Sequence, residues 1–129
     1  MGVATIRLKT WVNAWVTSRR MHEETQLDCL FGCRGCTDTT AQYLQCRRLW
    51  RSVLWSRGAS FLHASLLERA CLAHPTRAQA NDLVVAFRIY HDLKLSRLEC
   101  VLSFLEASDV RGLASLVKRI ASAARQAIG

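Results

Sequence analysis

Residues 27–46, LDCLFGCRGCTDTTAQYLQC, hold four of the chain's six cysteines and decide how the rest of it is read. The spacing C-x3-C-x2-C-x9-C of Cys29, Cys33, Cys36 and Cys46 supplies the four thiolates that a tetrahedral zinc takes. Gly32 and Gly35 fall where the chain must turn tightly, so the segment reads as a knuckle and not as a regular element. Cys29 is expected to approach from the preceding loop and Cys46 from the first two turns of the following helix. A metal there staples a loop to a helix. Its binding free energy, roughly 10 kcal/mol or more in finger peptides, is folding free energy. Loss of the metal is therefore expected to unfold at least residues 29–50. Gln42 lies four residues before Cys46 on the same predicted helical face, where a histidine would complete a knuckle-to-helix site. Three readings stay open: a four-cysteine structural zinc site, which leads, an incomplete site, and unrelated thiols. A catalytic zinc is disfavoured, because such sites keep three protein ligands, His or carboxylate among them, and an open position for water.

The sequence around the knuckle is helical in pattern. Leu8, Trp11, Val12, Trp15 and Val16 recur at amphipathic spacing. After the knuckle, Asp38 or Thr39 can cap a helix running to about Trp55, with Leu44, Leu49, Trp50, Val53 and Leu54 inward and Gly58 as its stop. A third helix is expected over Ser60–Leu72, ended by the HPT triplet at Pro75, the only proline. Thr76-Arg77-Ala78-Gln79 fits a capping box. It opens a helix whose stripe is Leu83, Val84, Phe87, Tyr90, His91 and Leu95. Ser96 can mark a bend before Leu98, Val101, Leu102 and Leu105. Ser108 or Asp109 can cap a last helix with Val110, Leu113, Val117, Ile120 and Ala124 inward and Arg111, Lys118, Arg119 and Arg125 mostly outward. No β pattern competes. The fold class is mainly α, a small helical bundle with an inserted zinc knuckle, in which residues 1–57 and 58–129 are expected to form one domain.

At 129 residues the chain can bury one modest core. Its apolar runs are too short to span a membrane, and no secretory signal opens it, so it is expected inside the cell. Clustering of four cysteines favours metal over disulfides, and Cys71 and Cys100 read as ordinary buried thiols. Lysine and arginine exceed aspartate and glutamate by 18 to 10, a net charge of +8. That balance permits contact with a polyanion.

The stretch NAWVTSRRMHEETQLDCLFGCRGCTDTTAQYLQCRRLW (13–50) resembles the zinc-binding region C-terminal to the polymerase domain of non-LTR retrotransposon reverse transcriptases. A basic helix leads into Cys29 and Cys33, followed by Asp38-Thr39, Tyr43-Leu44, Cys46 and Leu49-Trp50 in the family's order. The family's histidine ligand falls on Gln42, and Cys36, which the pattern does not require, stands as the replacement ligand. The resemblance is strong over about 40 residues and extends weakly through AFRIYHDLKLS. It implies an accessory module of a reverse transcriptase that contacts RNA or DNA in the nucleus or cytoplasm. It also implies a fragment, a domesticated gene or a decayed copy. No YxDD polymerase motif, Gly-rich phosphate loop or endonuclease carboxylate set is present, so no catalytic residue is assigned.

For nucleic-acid contact the candidate residues are Arg19, Arg20, Arg34, Arg47, Arg48 and Arg51, with Arg57 beyond them. A solvated helix face is the plainer account of these. Trp11, Trp15, Trp50 and Trp55 can stack on bases, but their helical spacing favours core packing. Tyr90-His91-Asp92 reads as structural. Two classes of function remain: a nucleic-acid-binding accessory module, and a structural or protein-interaction module without nucleic-acid binding. A zinc hydrolase with His22 or His91 as base is the least favoured reading.

Overall fold

The computed structural model describes residues 2–11, 15–18, 20–59, 69–71 and 76–128, and of 7–9 and 11 only the backbone. Six helices and no strand occur among the described residues. They are α1 (Val3–Trp11), α2 (Thr40–Gln45), α3 (Arg47–Trp55), α4 (Arg77–Ser96), α5 (Leu98–Glu106) and α6 (Val110–Ile128). The expected mainly α bundle is the architecture observed. The expected helix at Ser60–Leu72 lies almost wholly outside the described residues; of its end, Ala70 and Cys71 are buried.

The bundle is organised around α4. Thr76 and Gln79 form the expected capping box, each side chain bonded to the other's backbone N–H. Past this start, Leu83, Val84, Val85, Ala86, Phe87, Ile89, Tyr90 and Leu93 are all buried. A helix apolar on most of its circumference must be enclosed, and α4 packs against α1, α3, α5 and α6. The amphipathic α6 lays Leu113, Leu116, Val117, Ile120, Ala121 and Ala124 onto α4 and α3. Leu49, Trp50, Val53 and Leu54 of α3 are buried as their pattern requires.

Several expectations differ from the structure. The first helix is described over Val3–Trp11, so it begins five residues before the expected Leu8. Trp15 and Val16 follow in non-helical backbone, with 12–14 outside the described residues. Trp15 is fully buried against Tyr43, Phe87 and Tyr90, and its indole N–H donates to Thr10 Oγ1 at 2.8 Å. The helix expected from Asp38 or Thr39 to Trp55 is two helices, capped at Thr39 and broken at Cys46. Leu95 and Val110 are exposed, and Cys100 with them. Ser96 does end α4, Asp109 caps α6 by accepting from Gly112 N–H at 2.9 Å, and Arg125 turns inward.

Candidate metal centre

The knuckle is a loop closed at its base by backbone pairing. Cys29 N–H donates to Cys36 O at 2.9 Å and Asp38 N–H to Leu27 O at 2.8 Å, around an isolated bridge between Asp28 and Thr37. Within the loop Gly32 and Gly35 take φ of +85° and +69°, the left-handed region that L side chains resist. Gly32 also admits close neighbours: a Cβ there would lie 2.7 Å from Arg48 Nη1 and 3.2 Å from Leu105 Cδ2. Leu30 and Phe31 are buried anchors. Tyr43 Oη accepts from Leu30 N–H at 3.2 Å, and Arg48 Nη1 donates to Phe31 O at 3.0 Å. The loop is thus held by α2 and α3 before any ion is considered.

Cys46 sits at the break between α2 and α3, in extended backbone, where its sulfur accepts from Leu49 N–H at 3.5 Å and caps α3. It is therefore not inside a helix as expected. From that corner its sulfur lies 3.9 Å from Cys29 Sγ and 3.6 Å from Cys33 Sγ. The three sulfurs are all within 4.8 Å of one another, a group that can hold a metal ion. Cys36 stands apart from this group, its thiol directed to Arg34 O at 3.6 Å. The pairing of Cys36 O with Cys29 N–H fixes its backbone at the base of the loop, while the thiols of Cys29, Cys33 and Cys46 meet one another. Gln42, on α2, helps to hold the Cys29 thiol below its ordinary value.

The thiols influence one another's ionisation, with Cys29 favoured to ionise first. Cys29 is brought down to about 6, chiefly by the hydrogen bond from Cys46, and by the Phe31 and Cys33 amides and Gln42 against the opposing effect of burial. Cys46 is pushed up, first by that same bond and then by burial. Cys33 is raised by burial and by the charge on Cys29. A cation entering this site meets its most readily ionised thiol at Cys29, and its own field favours ionising the other two.

A residue that the sequence reading left as a possible helix cap is the second centre of the site. Asp38 is buried and accepts from Ser18 N–H at 2.6 Å, Ser18 Oγ at 2.7 Å, Tyr43 Oη, Tyr90 Oη at 2.8 Å and Lys94 Nζ at 2.8 Å. Burial alone would raise this carboxyl. Hydrogen bonds from Lys94, Tyr43 and Ser18 more than offset it and hold the group below its ordinary 3.8. Lys94 was the available signal, a lysine four residues after Tyr90 on the buried stripe of α4.

The expected nucleic-acid residues do not form one set. Arg34 and Arg48 line a cleft of about 390 Å³ with Cys29 and Cys33. Arg51 lines the adjoining cleft with Arg48, and Arg47 is exposed nearby in the sequence of α3. Arg20 lines neither cleft and its guanidinium approaches Met21 Sδ. Arg19 lies outside the described residues. Arg57 is engaged with Asp82 at 3.0 Å. His91 is engaged at both ring nitrogens, with Phe87 O at 2.8 Å and with Val16 N–H at 3.4 Å. No helix of the described residues is long and apolar enough to cross a membrane. Comparison with protein-family models, curated proteins and solved structures finds no match to this chain.

Proposed function

We propose that this chain is a zinc-stabilised accessory module that contacts RNA or DNA and does no chemistry of its own. It is of the kind that follows the polymerase domain in non-LTR retrotransposon reverse transcriptases. The carrying observation is the sulfur spacing. Thiolates bound tetrahedrally at about 2.3 Å from zinc stand about 3.8 Å apart, and the observed separations are 3.6 and 3.9 Å. An all-sulfur set of this kind suits zinc far better than magnesium or calcium. Cys29, Cys33 and Cys46 would hold the ion. For the fourth position the chain offers Gln42, where the resemblance implies a histidine, or Cys36, whose thiol would have to turn from Arg34 O. Bound zinc would supply a tetrahedral cross-link, and the residues around it supply its orientation: Tyr43, Arg48 and the base pairing of the loop already set the three thiols.

Support for nucleic-acid contact is the cleft that Arg34 and Arg48 form directly beside the thiols. A second reading, a protein-interaction module, draws on the exposure of Leu95, Leu102 and Val110. It requires zinc-dependent folding with negligible nucleic-acid affinity at physiological salt.

Zinc content by elemental analysis, on wild type and Cys46→Ser, paired with far-UV circular dichroism across chelation, tests the metal. One zinc per chain in the wild type, lost with part of the helicity in Cys46→Ser, is expected. A wild type without zinc, and with helicity indifferent to chelation, would overturn the proposal.

A further inference from the structure

We infer that the seam between α3 and α6 is a track for single-stranded nucleic acid that starts beside the thiols and ends on Trp55. The inference rests on the nucleic-acid reading above and assigns it a surface. Three clefts adjoin along this seam. The cleft at the thiols shares Arg48, Val110 and Leu113 with a second of about 310 Å³, and the second shares Lys118 with a third of about 450 Å³. Arg48, Arg51 and Trp55 follow one another at i, i+3 and i+7 on α3, one stripe of about 11 Å at 1.5 Å per residue. Lys118 of α6 faces all three across the second and third clefts, and Arg119 joins it beside Trp55.

Charge distinguishes this seam from the rest of the molecule. Elsewhere four carboxylates neutralise cations: Asp82 takes Arg57 and Arg125, Asp38 and Glu23 take Lys94, and Asp92 takes Arg97. Among the described residues, Asp28 and Asp109 line the first cleft beside Arg34 and Arg48, no carboxylate lines the second and third, and no ion pair engages Arg51, Lys118 or Arg119. An unneutralised row of cations is an electrostatic footprint for phosphates.

The aromatic end selects the strand form. Trp15 and Trp50 are buried, at 0% and 3%, whereas Trp55 is 47% exposed. Lys118 Nζ lies 5.3 Å from the centroid of the Trp55 ring. Expelled from a core that encloses its neighbours, the indole offers a stacking platform, and only unpaired bases can reach one.

The test is fluorescence anisotropy of the full chain with labelled oligo(dT) of about ten nucleotides, over about 50 to 200 mM salt, on wild type, Trp55→Ala, Arg51→Gln and Lys118→Gln. These side chains face solvent, so unchanged circular dichroism and melting confirm folded variants; Arg48 is avoided because it holds Phe31 O. Trp55→Ala is expected to weaken binding about tenfold with an unchanged salt slope. Arg51→Gln and Lys118→Gln should each flatten the slope of log K against log salt by about 0.7. Duplex DNA should bind more weakly than the single strand. Wild-type binding that persists unchanged in all three variants would overturn the seam and leave the broader reading standing. No wild-type binding at all would overturn both. Equal competition by polyglutamate would identify a general polyanion surface and likewise overturn the single-strand track.

Discussion

Gln42 and Cys36 divide between them the question of the fourth ligand. Cys36 belongs to the C-x2-C pair at the heart of the knuckle pattern, yet its thiol points to Arg34 O and stands outside the cluster of Cys29, Cys33 and Cys46. Spacing alone could not separate them, because which thiols converge depends on the strand pairing at the base of the loop and on the helix break at Cys46. Cys36→Ser is therefore expected to keep one zinc per chain with affinity reduced less than about threefold, whereas Cys33→Ser loses the ion. Gln42→His should raise zinc affinity at least tenfold, since imidazole is a strong zinc ligand and an amide a poor one. Competition with a fluorescent zinc chelator measures both. A Cys36→Ser protein that binds no zinc would place the fourth ligand at Cys36 instead.

Among elements, the knuckle is shaped by what it leans on. Gly32 brings the loop against the Arg48 guanidinium and Leu105 of α5, so close that a Cβ would make the guanidinium shift and Leu105 yield, in a backbone region that costs an L residue about 1–2 kcal/mol. Gly32→Ala is expected to displace Arg48 from Phe31 O and to lower stability by about 2 kcal/mol, or about 7 °C in Tm by thermal circular dichroism. A melting point within a degree of wild type would mean that the loop does not rest on α3. The helices themselves were legible where local chemistry settles them: the Thr76–Gln79 box, the Asp109 cap and the stripes of α3, α4 and α6. Legibility failed where partners settle them. Thr39 to Trp55 has one continuous helical pattern, but the Cys46 sulfur takes the Leu49 N–H and divides it. Val110 and Leu95 fit their stripes, but each lies at a helix end beyond the reach of its neighbours and is exposed.

At the scale of the molecule, two clamps join the knuckle to the bundle. The thiol cluster ties residues 29–33 to the α2–α3 break, and the Asp38 network ties residue 38 to Ser18 and, across 56 residues of sequence, to Lys94 of α4. Nothing in a polar TDTT run marks its aspartate as buried, so only the misplaced lysine on the α4 stripe hinted at the second clamp. The carboxylate side chain is fully buried and the lysine 6% exposed. Removing one partner therefore leaves a charge in a poorly solvating interior. Asp38→Asn is expected to cost about 3 kcal/mol, the lower end for a broken buried pair, because Glu23 still faces Lys94 at 3.1 Å. Lys94→Met added to Asp38→Asn should recover part of that loss, since the stranded ammonium is then gone. The pH dependence follows from the direction of the Asp38 shift. Its folded value lies below the 3.8 of an unconstrained carboxyl, so the unfolded chain takes up the proton first as acid is added. The stabilisation is complete above that ordinary value and is lost as pH falls below about 4 through the folded value. Urea unfolding from neutral pH to about 3 should thus show wild type and Asp38→Asn converging in acid; a gap that stays constant would mean that Asp38 stabilises by hydrogen bonding alone and not by its charge.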